Sequence, residues 1–289
     1  MNPEVLIIGC GFLGEATADL FSAQGKRVLG LVRSQESMNS LAGRSFDVTR
    51  CDVTDGDSVE GLRSALQGVP LAIYAVSSGG GRAEEYATLY RDGLRRILEC
   101  WQPRKILFVS STSVYGQNDA SWVTEESPAV PDRETGRILL EAEEVALASG
   151  GSVARLTGIY GPARSMLLRR FLGGEAVLED GGHRWMNQIH RDDAAAALLR
   201  LADPLLAPGI FNVTDNTPAT QREIYGWLAE FLDRPLPPEG PSDLNRKRGA
   251  NSRRISNARL RALGWTPRYP SYRDALPQLM AGIPESYSE

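Results

Sequence analysis

The sequence predicts an α/β fold: a doubly wound parallel sheet with helices on both faces, and a smaller, discontinuous lobe toward the C-terminus. Three observations predict it. A glycine turn directly follows an apolar strand, short apolar runs then alternate regularly with helical stretches, and that rhythm is lost after Gly161-Pro162.

The turn is Gly9-Cys10-Gly11-Phe12-Leu13-Gly14, behind the strand-like Val5-Leu6-Ile7-Ile8 and ahead of the helical pattern Ala16, Ala18, Leu20, Phe21. A second strand, Val28-Leu29-Gly30-Leu31-Val32, follows closely. In this context the turn reads as the phosphate-binding element of a Rossmann-type dinucleotide site. Gly9 permits the sharp turn, Gly11 lets the backbone approach a pyrophosphate, and Gly14 lets the helix pack on the strand. Phe12 and Leu13 open the helix, where free N–H groups and the positive dipole end favour an anion.

The third strand ends near Cys51-Asp52; Asp57 to Leu66 reads as a helix and Leu71 to Val76 as a fourth strand. Glu84 to Trp101 is a long helix, Lys105 to Ser110 a fifth strand, Thr135 to Ala148 a helix stopped by Gly150-Gly151, and Val153 to Thr157 a sixth strand. After Pro162 only Asp192 to Leu201 (helix) and Phe211 to Thr214 (a strand rejoining the sheet) keep the pattern. The expected division is a dinucleotide-binding domain over 1–161, with 187–216 returning to it, and a substrate lobe made of 162–186 and 217–289.

At 42% hydrophobic and 24% charged residues the 289-residue chain is composed like a soluble globular protein. Its apolar runs are far shorter than the roughly 18 residues of a membrane span, and no basic region precedes the first strand, so a cytoplasmic location is expected. Cys10, Cys51 and Cys100 lack disulfide-framework or metal spacing, so neither disulfide nor metal is expected. A net charge of −4 argues against a nucleic-acid partner.

Cofactor choice is read at the end of the second strand. An acidic residue there holds the ribose 2′-hydroxyl of NAD, whereas an arginine suits the 2′-phosphate of NADP. This chain has Arg33-Ser34, a guanidinium and a hydroxyl donor, so NADP is expected ahead of NAD. The alternative is a solvated strand-end charge. Asp52 and Val53, after the third strand, are assigned to the adenine, although an Asp there also suits a turn or helix cap. Ala75 completes the cofactor set at the end of the fourth strand.

From Phe108-Val109-Ser110-Ser111-Thr112-Ser113-Val114-Tyr115-Gly116 onward the sequence resembles the extended short-chain dehydrogenase/reductases, the NAD-dependent epimerase/dehydratase group. Glu125-Glu126-Ser127-Pro128, Arg155-Leu156-Thr157-Gly158-Ile159-Tyr160-Gly161-Pro162, Ile189-His190-Arg191-Asp192-Asp193 and Ser256-Asn257-Ala258-Arg259-Leu260 look like further segments of that family, in order. The resemblance implies a cofactor domain, a substrate lobe, commonly a nucleotide-sugar substrate, and dimerisation through the helices 84–101 and 135–148.

It also implies a reaction centre of a Ser or Thr after the fifth strand and a Tyr-x-x-x-Lys on the next helix. An ungapped register from Pro131 to Glu143 places the Ser on Ser111, the Tyr on Thr135 and the Lys on Leu139. Bringing a tyrosine from its ordinary pKa of ~10 to neutrality requires roughly 4 kcal/mol from a neighbouring cation. Leu139 supplies none, and Thr135 can only orient a hydroxyl or water. The remaining expectations are Ser111 polarising a carbonyl, Thr135 orienting water, and Ser77, Ser113, Tyr160, Arg164 and His183 facing the substrate. For Tyr115 and Tyr160 a packed structural role is the main alternative, and for His183 a solvated loop position. Arg155, Arg164, Arg169 and Arg170 surround the start of the lobe and suit a nucleotide diphosphate; Arg246, Lys247, Arg248, Arg253 and Arg254 form a later basic cluster, read as a mobile loop, with a solvated surface the alternative for most of these charges. Two functions follow: an oxidoreductase or epimerase with a non-standard proton donor, or a non-catalytic, redox-responsive dinucleotide-binding interaction protein.

Overall fold

The structure, a computed structural model, describes residues 2–241 and 251–280. Arg246, Lys247 and Arg248, read in the sequence as part of a basic cluster, lie outside the described residues. In chain order the elements of the first half are β1 (Val5–Ile8), α1 (Phe12–Ala23), β2 (Val28–Val32), α2 (Gln35–Ser40), β3 (Asp47–Arg50), α3 (Gly56–Glu60), α4 (Arg63–Leu66), β4 (Leu71–Tyr74), α5 (Ala83–Tyr86), α6 (Gly93–Trp101), β5 (Ile106–Ser111), β6 (Trp122–Val123) and α7 (Glu134–Ala148). Then come β7 (Ser152–Leu156), β8 (Gly158–Tyr160), α8 (Met166–Leu172), β9 (Leu178–Glu179), β10 (Trp185–Met186), β11 (Gln188–His190), α9 (Arg191–Leu201), β12 (Ile210–Val213), β13 (Ala219–Thr220), α10 (Gln221–Phe231), β14 (Glu239–Gly240), β15 (Arg254–Ile255), α11 (Ala258–Ala262) and α12 (Leu276–Met280).

The central sheet has seven parallel strands in the order β12-β7-β5-β4-β1-β2-β3. Its inner strands β1, β2, β4 and β5 are largely buried on both faces, which is why they read as apolar runs, whereas the edge strand β3 is exposed or half-buried and polar. Alternate residues feed two cores. Leu6 and Ile8 join Leu94, Ile97, Trp101, Ile138 and Leu139 on one face. Val5 and Ile7 join Phe21, Ala194, Ala197 and Leu198 on the other, where the alanine-rich α9 lies close against α1. Strand order reverses at β1, so the crevice between the carboxyl ends of β1 and β4 is the ligand position of such sheets.

A third core, including Tyr160, Leu168, Phe171, Ile224, Tyr225, Leu228 and Tyr272, lies in the smaller lobe. Not all of 217–289 belongs with it: Ile255, Leu260 and Trp265 pack against the two cores of the main sheet. Residues 251–257 form a strap across the segment after β5. In it β15 pairs with β6, and Asn251 Nδ2 donates to the Gly116 carbonyl at 3.2 Å.

Two helices differ from the sequence reading. The expected helix 57–66 is two short ones, α3 and α4, separated at Gly61-Leu62. The long helix 84–101 contains a π-helical turn, Ala87–Asp92, between α5 and α6. Its cause is Tyr74 at the end of β4, whose hydroxyl donates to the Leu89 carbonyl at 2.5 Å and competes for it with the helix ladder.

Candidate functional site

Three glycines of the first turn do three different things. Gly9 has φ +87°, and a Cβ there would lie 2.7 Å from the Ala75 carbonyl oxygen and the Val76 backbone. At Gly14 a Cβ would meet the Gly9 carbonyl oxygen at 2.5 Å, so only glycine lets α1 start this close to β1. Beside Gly11 there is open space within 4 Å. Gly11 is also the N-cap of α1 and contributes no side-chain bond, leaving the first N–H groups of the helix, those of Phe12 and Leu13 among them, facing that space. Internal packing explains Gly9 and Gly14; at Gly11 it explains nothing, and a cradle that a Cβ would fill is what a pyrophosphate needs. Cys10 is not a reactive thiol, since burial pushes it up to about 12.

The turn is held by the Leu31 carbonyl, which accepts from Gly9 N at 3.1 Å and Cys10 N at 2.8 Å, and by Ala75 N donating to the Ile8 carbonyl at 2.8 Å. These bonds place Ala75 beside the glycine turn. Arg33 is exposed just past β2, with no carboxylate within ion-pair reach among the described residues. Ser34 beside it caps α2, its Oγ accepting from Ser37 N at 3.1 Å. Asp52 Oδ1 accepts from Thr54 N at 2.9 Å and Thr54 Oγ1 at 2.7 Å, a turn role that leaves one carboxylate oxygen for a ligand. Val53 has a buried side chain and gives its carbonyl to Arg96, so only its N–H remains to meet an adenine.

Ser111 ends β5, and its Oγ accepts from Ser113 N at 3.2 Å. The first turn of α7 lies against this segment: a Cβ at Gly136 would stand 3.4 Å from the Ser113 carbonyl oxygen. Ser111, Ser113 and the half-buried Thr135 are thus brought to one corner of the sheet edge. Leu139, one turn further, is buried in the core with Ile138 and Ala142. Ser77 is exposed in the loop after β4.

Tyr160 is buried; its hydroxyl has no partner among the described residues, and burial raises its pKa well beyond the ordinary range. It lines a small void with Gln188 and Trp227 in the lobe and is no acid or base near neutrality. Tyr115 is structural too, its hydroxyl donating to Asn212 Oδ1 at 2.9 Å. His183 is exposed on the lobe beside Gly181 and Gly182, and no contact among the described residues joins it to Ser111 or Thr135.

Three arginines stand elsewhere than the sequence reading puts them. Arg155, read there as one of the arginines around the start of the lobe, is buried under the sheet edge. Its Nη2 meets Glu143 Oε2 at 2.5 Å, and Ser110 Oγ donates to the same carboxylate. Arg253, read as part of a mobile basic loop, is also buried; its Nη2 donates to the Thr112 carbonyl at 2.7 Å, next to Ser111, and burial pulls its pKa down. Arg254 sits between the rings of Trp122 and Trp185, at 5.1 and 5.0 Å. Arg164 reaches the cofactor turn, its guanidinium 4.8 Å from the centre of the Phe12 ring. Arg191, missed as a candidate, lies over the same ring at 5.2 Å. Its place at the first position of a helix following a strand edge was the signal for it.

A seven-stranded parallel sheet with an uncapped glycine turn at its switch point defines a fold of the Rossmann class. Residues 5–214 match the NAD dependent epimerase/dehydratase family, and the chain belongs to it. It is similar to Protein YeeZ of Escherichia coli K12, at 29% identity with 92% of this chain and 96% of that one covered. It is also similar to a 3-diazoavenalumate denitrifying reductase of Streptomyces sp, at 25% identity over 94% and 99%. Among solved structures, MoeE5 in complex with UDP-glucose and NAD superposes with a TM-score of 0.80 at 23% identity, covering 96% of this chain and 97% of that one, a likeness of fold. No helix among the described residues is long and apolar enough to cross a membrane.

Proposed function

We propose that this protein is an NADP(H)-dependent oxidoreductase or epimerase acting on a nucleotide sugar or another small carbonyl or hydroxyl compound, without the Tyr-Lys dyad. The observation that carries it is the uncapped start of α1 opening on Gly11, with the unneutralised Arg33 at the end of β2. Gly9, Gly11, Phe12, Leu13 and Gly14 would hold the pyrophosphate, Ala75 would pack beside it, Arg33 and Ser34 would hold the 2′-phosphate, and Asp52 with the Val53 N–H would hold the adenine. The cofactor supplies hydride donation and acceptance when bound.

Ser111 would polarise the substrate carbonyl and Thr135 would orient a water, with Ser77, Ser113 and His183 toward the substrate and the proton supplied from outside a dyad; Arg164, expected at the substrate, stands over the Phe12 ring beside the cofactor turn. Tyr160 keeps only a donor role. The naming of one relative as a reductase, and the description of MoeE5 with UDP-glucose and NAD, support an enzyme over a non-catalytic binding protein. Homodimerisation through the helices 84–101 and 135–148 is the accompanying expectation, removed if light scattering finds only a 31.5 kDa species.

Titration with NADPH and NADH tests the reading. Binding of NADPH in the micromolar range (about −8 kcal/mol) is expected, weakened roughly tenfold or more by Arg33→Ala with NADH little changed. No binding of either dinucleotide would overturn it, and tighter NADH binding indifferent to Arg33→Ala would remove the NADP preference. Turnover of candidate sugar nucleotides by the unmodified protein decides against the non-catalytic role.

A further inference from the structure

Two guanidinium groups from distant parts of the chain share one aromatic ring. Arg164 comes from the turn after β8 and Arg191 opens α9; both stack on Phe12, the first residue of α1. The three segments meet at Gly161, where a Cβ would lie 3.0 Å from Arg191 Cβ, 3.2 Å from Phe12 Cζ and 3.5 Å from His190 Nε2.

Arg164 is aimed by a built turn. Gly161 N donates to the Arg164 carbonyl at 2.9 Å, Arg164 N donates back to the Gly161 carbonyl at 3.0 Å, and Ala163 between them is held at φ +56°. The left-handed Ala163 is what a type II turn with proline at its second position requires, and the paired bonds fix the backbone from which Arg164 leaves. Arg164 is exposed, with no carboxylate within ion-pair reach among the described residues. Arg191 is half-buried and joined to Asp192 at 2.8 Å by one N–H; the Asp19 carboxylate also acts on it through space, and among the described residues no second hydrogen bond takes up the rest of its donor fork.

His190 adds an independent sign. It is fully buried, and its Nδ1 accepts from Asp192 N at 3.2 Å, which puts the proton on Nε2. Nε2 has no partner among the described residues and lies at the same junction, beside Gly161. Two cations and an unspent buried donor thus gather around Gly161 and Phe12, the residue that follows Gly11 and opens α1.

We infer that Arg164 and Arg191 form a guanidinium clamp that closes from the lobe side on the pyrophosphate of the dinucleotide. Phe12 is its platform: the ring carries both cations face-on and keeps them at the mouth of the turn without neutralising them. The inference rests on the proposed cofactor site. It adds that affinity comes partly from outside the glycine turn, and that the lobe contributes to cofactor retention.

The test is equilibrium titration of NADPH, ADP, adenosine and UDP against the wild-type protein, Arg164→Gln, Arg164→Lys and Arg164→Gln/Arg191→Gln, at low and high salt. Arg164 is exposed, so its variants are expected to fold as the wild type does. A thermal melt checks the double variant. Expected is a loss of about tenfold or more in NADPH and ADP affinity for Arg164→Gln, partial recovery in Arg164→Lys, adenosine binding unchanged, and a flatter salt dependence in the double variant. Wild-type affinity for ADP in Arg164→Gln would overturn the clamp while leaving the cofactor site standing. Loss of UDP binding with NADPH binding intact would reassign the arginine to a substrate diphosphate and overturn it equally. Failure of the wild-type protein to bind NADPH or NADH at all would instead overturn the cofactor site itself.

Discussion

At position 139 the side chain that the family's mechanism requires to be a cation is part of the hydrophobic core. A lysine there would have to be stripped of water among Ile138, Ala142 and the strand residues beneath them, at a cost of several kcal/mol. Leucine is thus not a vacant catalytic position but a packed one. One turn further on, Glu143 shows the opposite arrangement: it is buried, yet matched by Arg155 and Ser110. Removing one partner of such a pair leaves a charge with no solvent, so Glu143→Leu is expected to lower unfolding stability by about 3–5 kcal/mol in urea titration. Thr135 and Leu139 were legible because register along one helix fixes them. Arg155 was not, since its partnership with Glu143 joins a helix to a strand and only the tertiary arrangement brings the two together. For the same reason Arg191 went unassigned and Arg253 read as a loop charge until the fold placed one over Phe12 and the other under the Ser111 segment.

The long helix after β4 illustrates what periodicity omits at the scale of an element. Its apolar positions continue without a break through the π-helical turn, so the sequence reads as one α-helix. The bulge follows from a hydroxyl on a different element, Tyr74 of β4. Tyr74→Phe removes a buried donor and leaves the Leu89 carbonyl to find another partner. A loss of about 1–3 kcal/mol in thermal or urea unfolding is expected. An unchanged midpoint would show that the bulge stands without the hydroxyl. By contrast the glycine turn was legible in full, because each requirement on it is local: a positive φ, a close approach and an open side.

For the molecule as a whole, the junction of sheet, lobe and α9 makes stability depend on pH. His190 is packed between the rings of Tyr160 and Tyr269, and burial lowers its pKa from 6.5 to about 4. Between those values the unfolded chain binds a proton that the native protein refuses, so stability at this site rises with pH. It is fully present above about pH 6.5, declines as pH falls toward 4, and is level below that. His190→Asn keeps an acceptor for Asp192 N and lacks the titration. The difference in unfolding free energy between the two proteins, which cancels the carboxylates and His183 common to both, is expected to shrink across that window; a pH-independent difference would refute the assignment.

The strap at residues 251–257 gives the fold a direction in time. Arg253 holds the carbonyls of Thr112 and Gln117, and Asn187 holds the strap in turn through the Arg253 carbonyl and Ile255 N. Contacts this distant in sequence close late, because the loop between them must be ordered first. On the ribosome, the sheet and its glycine turn can assemble while the segment carrying Ser111 and Ser113 still lacks the strands that fasten it. The corner beside Thr135 is therefore expected to take shape among the last parts of the protein, after the glycine turn, whose bonds join β1 to its sheet neighbours.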